Sequence, residues 1–162
     1  MHDPVVKVVW EIDEAPRWYR STLDLLGRRA QRPHAAFSMI GVHDAVTKGL
    51  PGEALNHLLG SLKSLAREEV LNALGISGRT VQRRKLDPKK MLSVDQSGRT
   101  WRFAQILALA SEVLGDQADA EKWLSAPAIA LDQRRPIDLL SSPVGTELVE
   151  QLLRRLERGV YT

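Results

Sequence analysis

From about Ala35 onward, apolar side chains in this sequence recur at helical spacing, and glycine, proline or serine interrupts them at intervals. Phe37, Ile40, Val42 and Val46 make a short amphipathic segment punctuated by Gly49 and Pro51. Leu55, Leu58, Leu59 and Leu62 then share one helix face. Ser64 is placed to cap a helix that runs to Leu74, Gly75 to stop it, and a further helix is predicted over Gly78 to Leu86. Polar residues 87–98 form the best internal boundary. Beyond them lie a long apolar helix from about Thr100 to Leu114, closed by Gly115, and a short helix over Asp119 to Leu124. Pro127 and Pro136 frame a connection to the last helix, Pro143 to Arg158, with Gly159 as its stop. The pattern predicts an all-α fold. At the start of the chain, β-branched Val5 to Trp10 reads as a short strand, and residues 16–30, opened by Pro16, as a helix.

The segment from Arg67 to Lys85 is the most informative. Val70 and Leu74 lie four apart on one face, and Gly75 can take the positive φ that a tight interhelical turn requires. Ile76 would plug the angle between two helices, Ser77 would cap the second, and Val81 would lock it against the first. Arg79, Thr80, Gln82, Arg83 and Lys85 are left facing outward. This is the pattern of a helix-turn-helix, whose second helix lies in the major groove. Arginine pairs bidentately with guanine and glutamine with adenine, so Arg79, Thr80, Gln82 and Arg83 are read as groove-facing. Lys85, Lys89 and Lys90 are read as phosphate contacts. One departure is visible. Leu71 stands four positions before the turn glycine, where a small residue is usual, and predicts a helix pair that is spread or shifted.

Charge points the same way. The net charge of +3 is modest, but six basic residues (Arg79, Arg83, Arg84, Lys85, Lys89 and Lys90) crowd into one short stretch against the single acid Asp87. A basic cluster on an otherwise balanced chain is the footprint of a phosphate-backbone binder; the alternative is a solvated basic loop.

Several function classes are set aside. The chain has no cysteine, which removes disulfides, thiolate metal sites and cysteine nucleophiles. None of the four histidines (His2, His34, His43, His57) sits in metal-ligand spacing. No phosphate-binding glycine loop and no nucleophile elbow occur, and adjacent Glu68 and Glu69 point in different directions on a helix. The expectation is a non-enzyme with no cofactor and no metal. The N-terminus lacks the features of a signal peptide and no apolar run is long enough to span a membrane, so the cytoplasm is the expected location.

The second half carries a resemblance. After Trp101, Phe103, Ile106 and Leu107 come Glu121, Lys122, Trp123 and Leu124. Next are Arg135, Pro136, Ile137, Asp138, Leu139 and Leu140, followed by Pro143, Val144 and Gly145, and finally Arg158, Gly159, Val160, Tyr161 and Thr162. In this order, and with the helix-turn-helix before it, the set resembles antitoxins of the Xre/MbcA/ParS type over about residues 36–162. Read physically, Trp123 and Leu124 are core anchors, Asp138 can cap the helix that follows, Leu139 and Leu140 pack, and Gly145 permits close helix approach. The apolar tail, Val160 and Tyr161, lies past a helix end beside Arg154, Arg155 and Arg158. It suggests docking on a partner, or a fold back onto its own core.

The resemblance implies a helix-turn-helix domain over 36–92 and a small helical toxin-binding domain over 99–162; residues 1–35 carry none of it and are read, from their apolar stretches, as an N-terminal segment available for dimerisation. It implies an antitoxin of a type II toxin–antitoxin system. The partner would be a RES-domain toxin that consumes NAD, the protein would repress its own operon through operator DNA, and Arg154, Arg158, Gly159, Val160, Tyr161 and Thr162 would touch the toxin. A homodimer is expected, because two-fold operators match two-fold proteins. Candidate interfaces are Val5 to Trp10 and the helix around Trp18 to Leu26. The competing readings are a stand-alone repressor whose C-terminal half only dimerises, and an adaptor that binds no DNA.

Overall fold

The structure is a computed structural model and describes residues 9–10, 14–27 and 37–159. Among these, β1 (Val9–Trp10) pairs antiparallel with β2 (Phe37–Ser38), with Val9 opposite Ser38 and Trp10 opposite Phe37. The helices are α1 (Arg17–Leu25), α2 (Met39–Lys48), α3 (Gly52–Ser61), α4 (Arg67–Leu74), α5 (Gly78–Leu86), α6 (Val94–Leu114), α7 (Gln117–Ser125), α8 (Pro136–Leu139) and α9 (Pro143–Glu157). A single 3-10 turn, Ile129–Leu131, lies between α7 and α8. The described chain is all-α apart from the two-residue ribbon. Phe37, read from sequence as helical, belongs to that ribbon, and Ser38 caps α2 by accepting the N–H of Gly41 at 2.9 Å.

The axis of the fold is α6. Its 21 residues reach about 31 Å at the helical rise. Residues 103–110 are buried without interruption, including Phe103, Ile106, Leu107 and Leu109. A helix buried all round has to be covered on every side. It is: α1, α2, α4, α7 and α9 all pack against it, and one continuous apolar cluster runs from Tyr19 on α1 to Leu153 on α9. α6 begins at Val94 rather than near Thr100. Ser93 and Gln96 form a reciprocal capping box, at 3.1 Å in each direction, that extends the helix into the polar stretch. Ser97, fully buried, accepts the N–H of Leu50 at 2.8 Å.

The apolar face of α1 is spent on α6. Tyr19, Leu23 and Leu26 are buried, and the Tyr19 ring lies 5.9 Å from that of Trp101. The helix proposed as a dimer contact is thus largely internal.

Two expected caps are replaced. Ser64 does not cap α4: the N-cap is Ala66, with no side-chain bond. The work falls to Glu121 on α7, whose side chain has no exposed surface. Its Oε1 accepts the N–H groups of Lys63 (2.9 Å), Ser64 (3.0 Å) and Leu65 (2.9 Å). Its Oε2 accepts from Lys63 and from the side chain of Gln117. Asp138 does not cap α9 either; Ser142 does, through the N–H of Gly145. Asp138 instead accepts two bonds from Arg135. Gly145 does serve close approach: a Cβ there would fall 1.9 Å from the carbonyl oxygen of Leu139.

Two outcomes follow for stability. Replacing Glu121 with alanine strands three N–H groups of the α3–α4 connection. It is expected to cost about 3 kcal/mol, a fall of roughly 10 °C in the thermal midpoint, read by calorimetry. The Tyr19 hydroxyl is pushed up to about 12 from an ordinary 10 by burial. The fold therefore keeps the neutral phenol after the unfolded chain has begun to ionise. Its contribution is full below pH 10 and is lost as pH rises towards 12. Denaturant titrations across that window should show a shallower decline for Tyr19→Phe than for the parent.

Candidate nucleic-acid interface and C-terminal surface

The turn between α4 and α5 forms as its residues dictate. Gly75 adopts the left-handed conformation (φ 64°, ψ 31°), and its N–H and that of Ile76 close on Asn72 and Leu71. Val70, Leu74, Ile76 and Val81 are buried. Ser77, in extended conformation, accepts the N–H of Thr80 at 3.2 Å and so starts α5. Leu71 is buried too, and α5 leans on α3 rather than lying along α4.

Arg79, Gln82 and Arg83, at i, i+3 and i+4, share the outer face of α5 and are exposed. Thr80 is half-buried, and its hydroxyl is engaged with that of Ser77 at 3.1 Å. Lys85 is exposed but stands four residues from buried Val81, off the outer face. Arg84 turns towards α3. Its guanidinium donates to the carbonyl of Met91 and its own carbonyl accepts from Asn56.

Lys89 and Lys90 are exposed on a loop whose backbone is fastened to the start of α3. The N–H of Gly52 donates to Lys90 (2.9 Å), that of Glu53 to Pro88 (2.9 Å), and that of Leu92 to Leu50 (2.8 Å). Lysines on a fastened loop keep their positions relative to α5. Among the described residues, none of Arg79, Arg83, Lys85, Lys89 or Lys90 is spent in an ion pair. Arg99 of α6 also reaches this region: its guanidinium lies against Gly75. No pattern in the sequence marks Arg99, because its place depends on how α6 crosses α4.

In the C-terminal half Arg135 and Arg154 are held in ion pairs, while Arg134, Arg155 and Arg158 are exposed and in none among the described residues. Arg135 joins Asp138 to Glu69 of α4, tying α8 to the first helix of the turn unit, and these two carboxylates raise its already high pKa. Arg154, expected at a partner surface, lies between Glu150 and Glu157, with its guanidinium 5.6 Å from the ring of Trp18. Arg158 is exposed and donates to the carbonyl of Arg154 at 3.1 Å; Gly159 has φ 73°. Val160, Tyr161 and Thr162 lie outside the described residues. Among the described residues, no group of histidine and carboxylate side chains could hold a metal ion, and no helix is long and apolar enough to cross a membrane.

Known families match the chain in two segments that meet inside α6. Residues 41–105 match the family model of the antitoxin Xre-like helix-turn-helix domain, and residues 109–159 that of the antitoxin Xre/MbcA/ParS C-terminal toxin-binding domain. The chain is similar to the antitoxin Xre of Pseudomonas putida, at 30% identity over 120 residues, covering 73% of this chain and 72% of that protein. It is also similar to the antitoxin Xre of Yersinia enterocolitica, at 33% identity over 100 residues, covering 61% of this chain and 67% of the relative. The chain belongs to the Xre antitoxin family. This is a family of antitoxins, not of enzymes. The antitoxin combines a DNA-binding helix-turn-helix with a toxin-binding domain. A third relative, the antitoxin Xre of Photorhabdus laumondii, is 26% identical over 118 residues, covering 72% of this chain and 78% of its own.

Proposed function

We propose that this antitoxin neutralises a RES-type, NAD-consuming toxin encoded beside it and represses their common operon as a homodimer in the cytoplasm. The observation that carries this reading is the pairing, in one chain, of an unpaired cationic α5 face with a segment that matches a toxin-binding domain. The organisation proposed is an N-terminal segment over 1–35, a DNA-binding unit over 36–92 and a toxin-binding unit over 99–162. Arg79, Gln82 and Arg83 read base edges, with Thr80 at the helix start, while Lys85, Lys89 and Lys90 neutralise phosphates. Arg158, Gly159 and the tail Val160 to Thr162 engage the toxin beside its active site. Arg154 supports them from its seat against Trp18.

The DNA half is tested on the operon's own promoter. Arg79→Ala and Arg83→Ala should each weaken binding by about 1–3 kcal/mol and relax base preference. Affinity should fall steeply between 50 and 200 mM salt as condensed counterions are released. Equal affinity for promoter and unrelated DNA in both variants and parent would refute the assignment of base-reading residues.

The toxin half is tested by tagging the product of the adjacent gene, co-purifying the untagged antitoxin, and following NAD loss. The expected result is a stable complex with NAD consumption suppressed. Removing Val160 to Thr162 should restore consumption while leaving promoter affinity unchanged. No complex, together with retained promoter binding, would make the protein a plain repressor.

A further inference from the structure

The connection between α7 and α8 contains a feature that the fold itself does not use. Residues 128–134 form a compact loop. Ala128 and Arg134 pair as an isolated antiparallel bridge, with the N–H of Ala128 donating to Arg134 at 3.0 Å. The N–H groups of Leu131 and Gln133 both donate to the carbonyl of Ala128, and those of Asp132 and Arg134 to Ile129 and Leu131. Asp132 (φ 54°) and Gln133 (φ 61°) are the only non-glycine residues with positive φ among those described, and they are consecutive.

The side chains make the geometry pointed. Leu131 packs against the core, but Ile129, two residues earlier, is 84% exposed, the largest exposure among the large apolar side chains described. Asp132, Gln133 and Arg134 around it are exposed as well. The far end is pinned by Arg135, which bonds Asp138 and Glu69, and by buried Ile137.

A lone exposed isoleucine is ordinary on a protein surface. An isoleucine held out on a loop that is hydrogen-bonded across its base and keeps two residues in a disfavoured conformation is not. Such strain persists where the surroundings impose it and concentrates at binding sites. A pre-ordered loop loses little freedom on binding, and an apolar side chain presented this way serves as an anchor for a pocket.

We propose that the 128–134 loop is a docking point for the partner toxin, with Ile129 entering an apolar pocket on the toxin's surface. The proposal rests on the antitoxin reading above. The occupant is the toxin because the loop lies wholly inside the segment that matches the toxin-binding domain and outside the helix-turn-helix match.

The test measures affinity of the full-length antitoxin for the purified product of the adjacent gene by calorimetric titration. Ile129→Ala should weaken it about tenfold and Ile129→Asp about a hundredfold or more. Promoter affinity and thermal midpoint should stay at parental values, because the side chain touches neither core nor α5. Should Ile129→Asp lower the midpoint, Ile129→Ala decides alone. Toxin affinity within twofold of the parent for both variants overturns the proposal. So does a loss seen only with Leu148→Asp, which would move the contact to the exposed face of α9. A change in the antitoxin's own oligomeric state on Ile129→Asp reassigns the loop to self-association. Failure of the parent itself to bind the toxin sinks the antitoxin reading as a whole, an outcome distinct from failure of the loop alone.

Discussion

Glu121 lies on α7 with no surface exposed to water, and its two oxygens take up the N–H groups of three consecutive residues, Lys63, Ser64 and Leu65. A buried carboxylate is tolerable only when its lone pairs are satisfied, and here backbone donors and Gln117 satisfy them. The same bonds do for the α3–α4 connection what a capping side chain would do locally. Leu62 ends α3 in extended conformation and α4 starts from Ala66 without a side-chain cap. The direction in which α4 leaves α3 is therefore set from the C-terminal half. Since α4 leads through Gly75 into α5, the placement of the second helix of the turn unit depends on a residue that belongs to the toxin-binding match.

A second link acts in the same sense. Arg135, just before α8, reaches Glu69 in the first turn of α4. The carboxylate is favoured there by the helix N-terminus, and the guanidinium bridges it to Asp138. Between these two links runs α6, which packs against helices from both matched segments and carries the point where one match ends and the next begins. The two matched segments thus share a single apolar cluster, and both polar bridges run from the second segment to α4 or to the connection before it.

What could be read from the sequence was local. The helix breaks at Gly49, Gly75 and Gly115, the Ser77 cap, the inward Val70, Ile76 and Val81, and the all-α class all follow from residues within one or two turns of each other. The misreadings concern two caps and the start of one helix. Ser64 has the chemistry of an N-cap and sits at a reasonable distance from the helix, but its backbone is claimed by a glutamate 57 residues away. Asp138 looks like a cap until Arg135 is found bonded to it on both oxygens. The polar run after Lys90 suggested a loop to residue 98, whereas the Ser93–Gln96 box and the buried Ser97 carry helix into it. At the candidate site, α5 was legible because its exposed and buried residues alternate with the helical period. The approach of Arg99 to the turn and the lateral place of Lys85 were not, since both depend on packing partners.

Free charge is arranged differently in the two matched segments. On α5 and the loop after it, Arg79, Arg83, Lys85, Lys89 and Lys90 stand without carboxylate partners among the described residues, whereas Arg99 beside the turn is paired with Asp95, and the loop bearing Lys89 and Lys90 is fastened by its backbone. In the C-terminal half, Arg102, Arg135 and Arg154 are held by Glu150, Glu69, Asp138 and Glu157. Cations already paired contribute little long-range field, because the adjacent carboxylate cancels their charge at a distance. The surface around α5 therefore suits a polyanion, where attraction is long-range and additive and fades with salt. In the C-terminal half the exposed Arg134, Arg155 and Arg158 also stand outside any ion pair among the described residues, but they are divided between the 128–134 loop and the end of α9 instead of being gathered on one helix and the loop that follows it, so any field they supply is spread over two places.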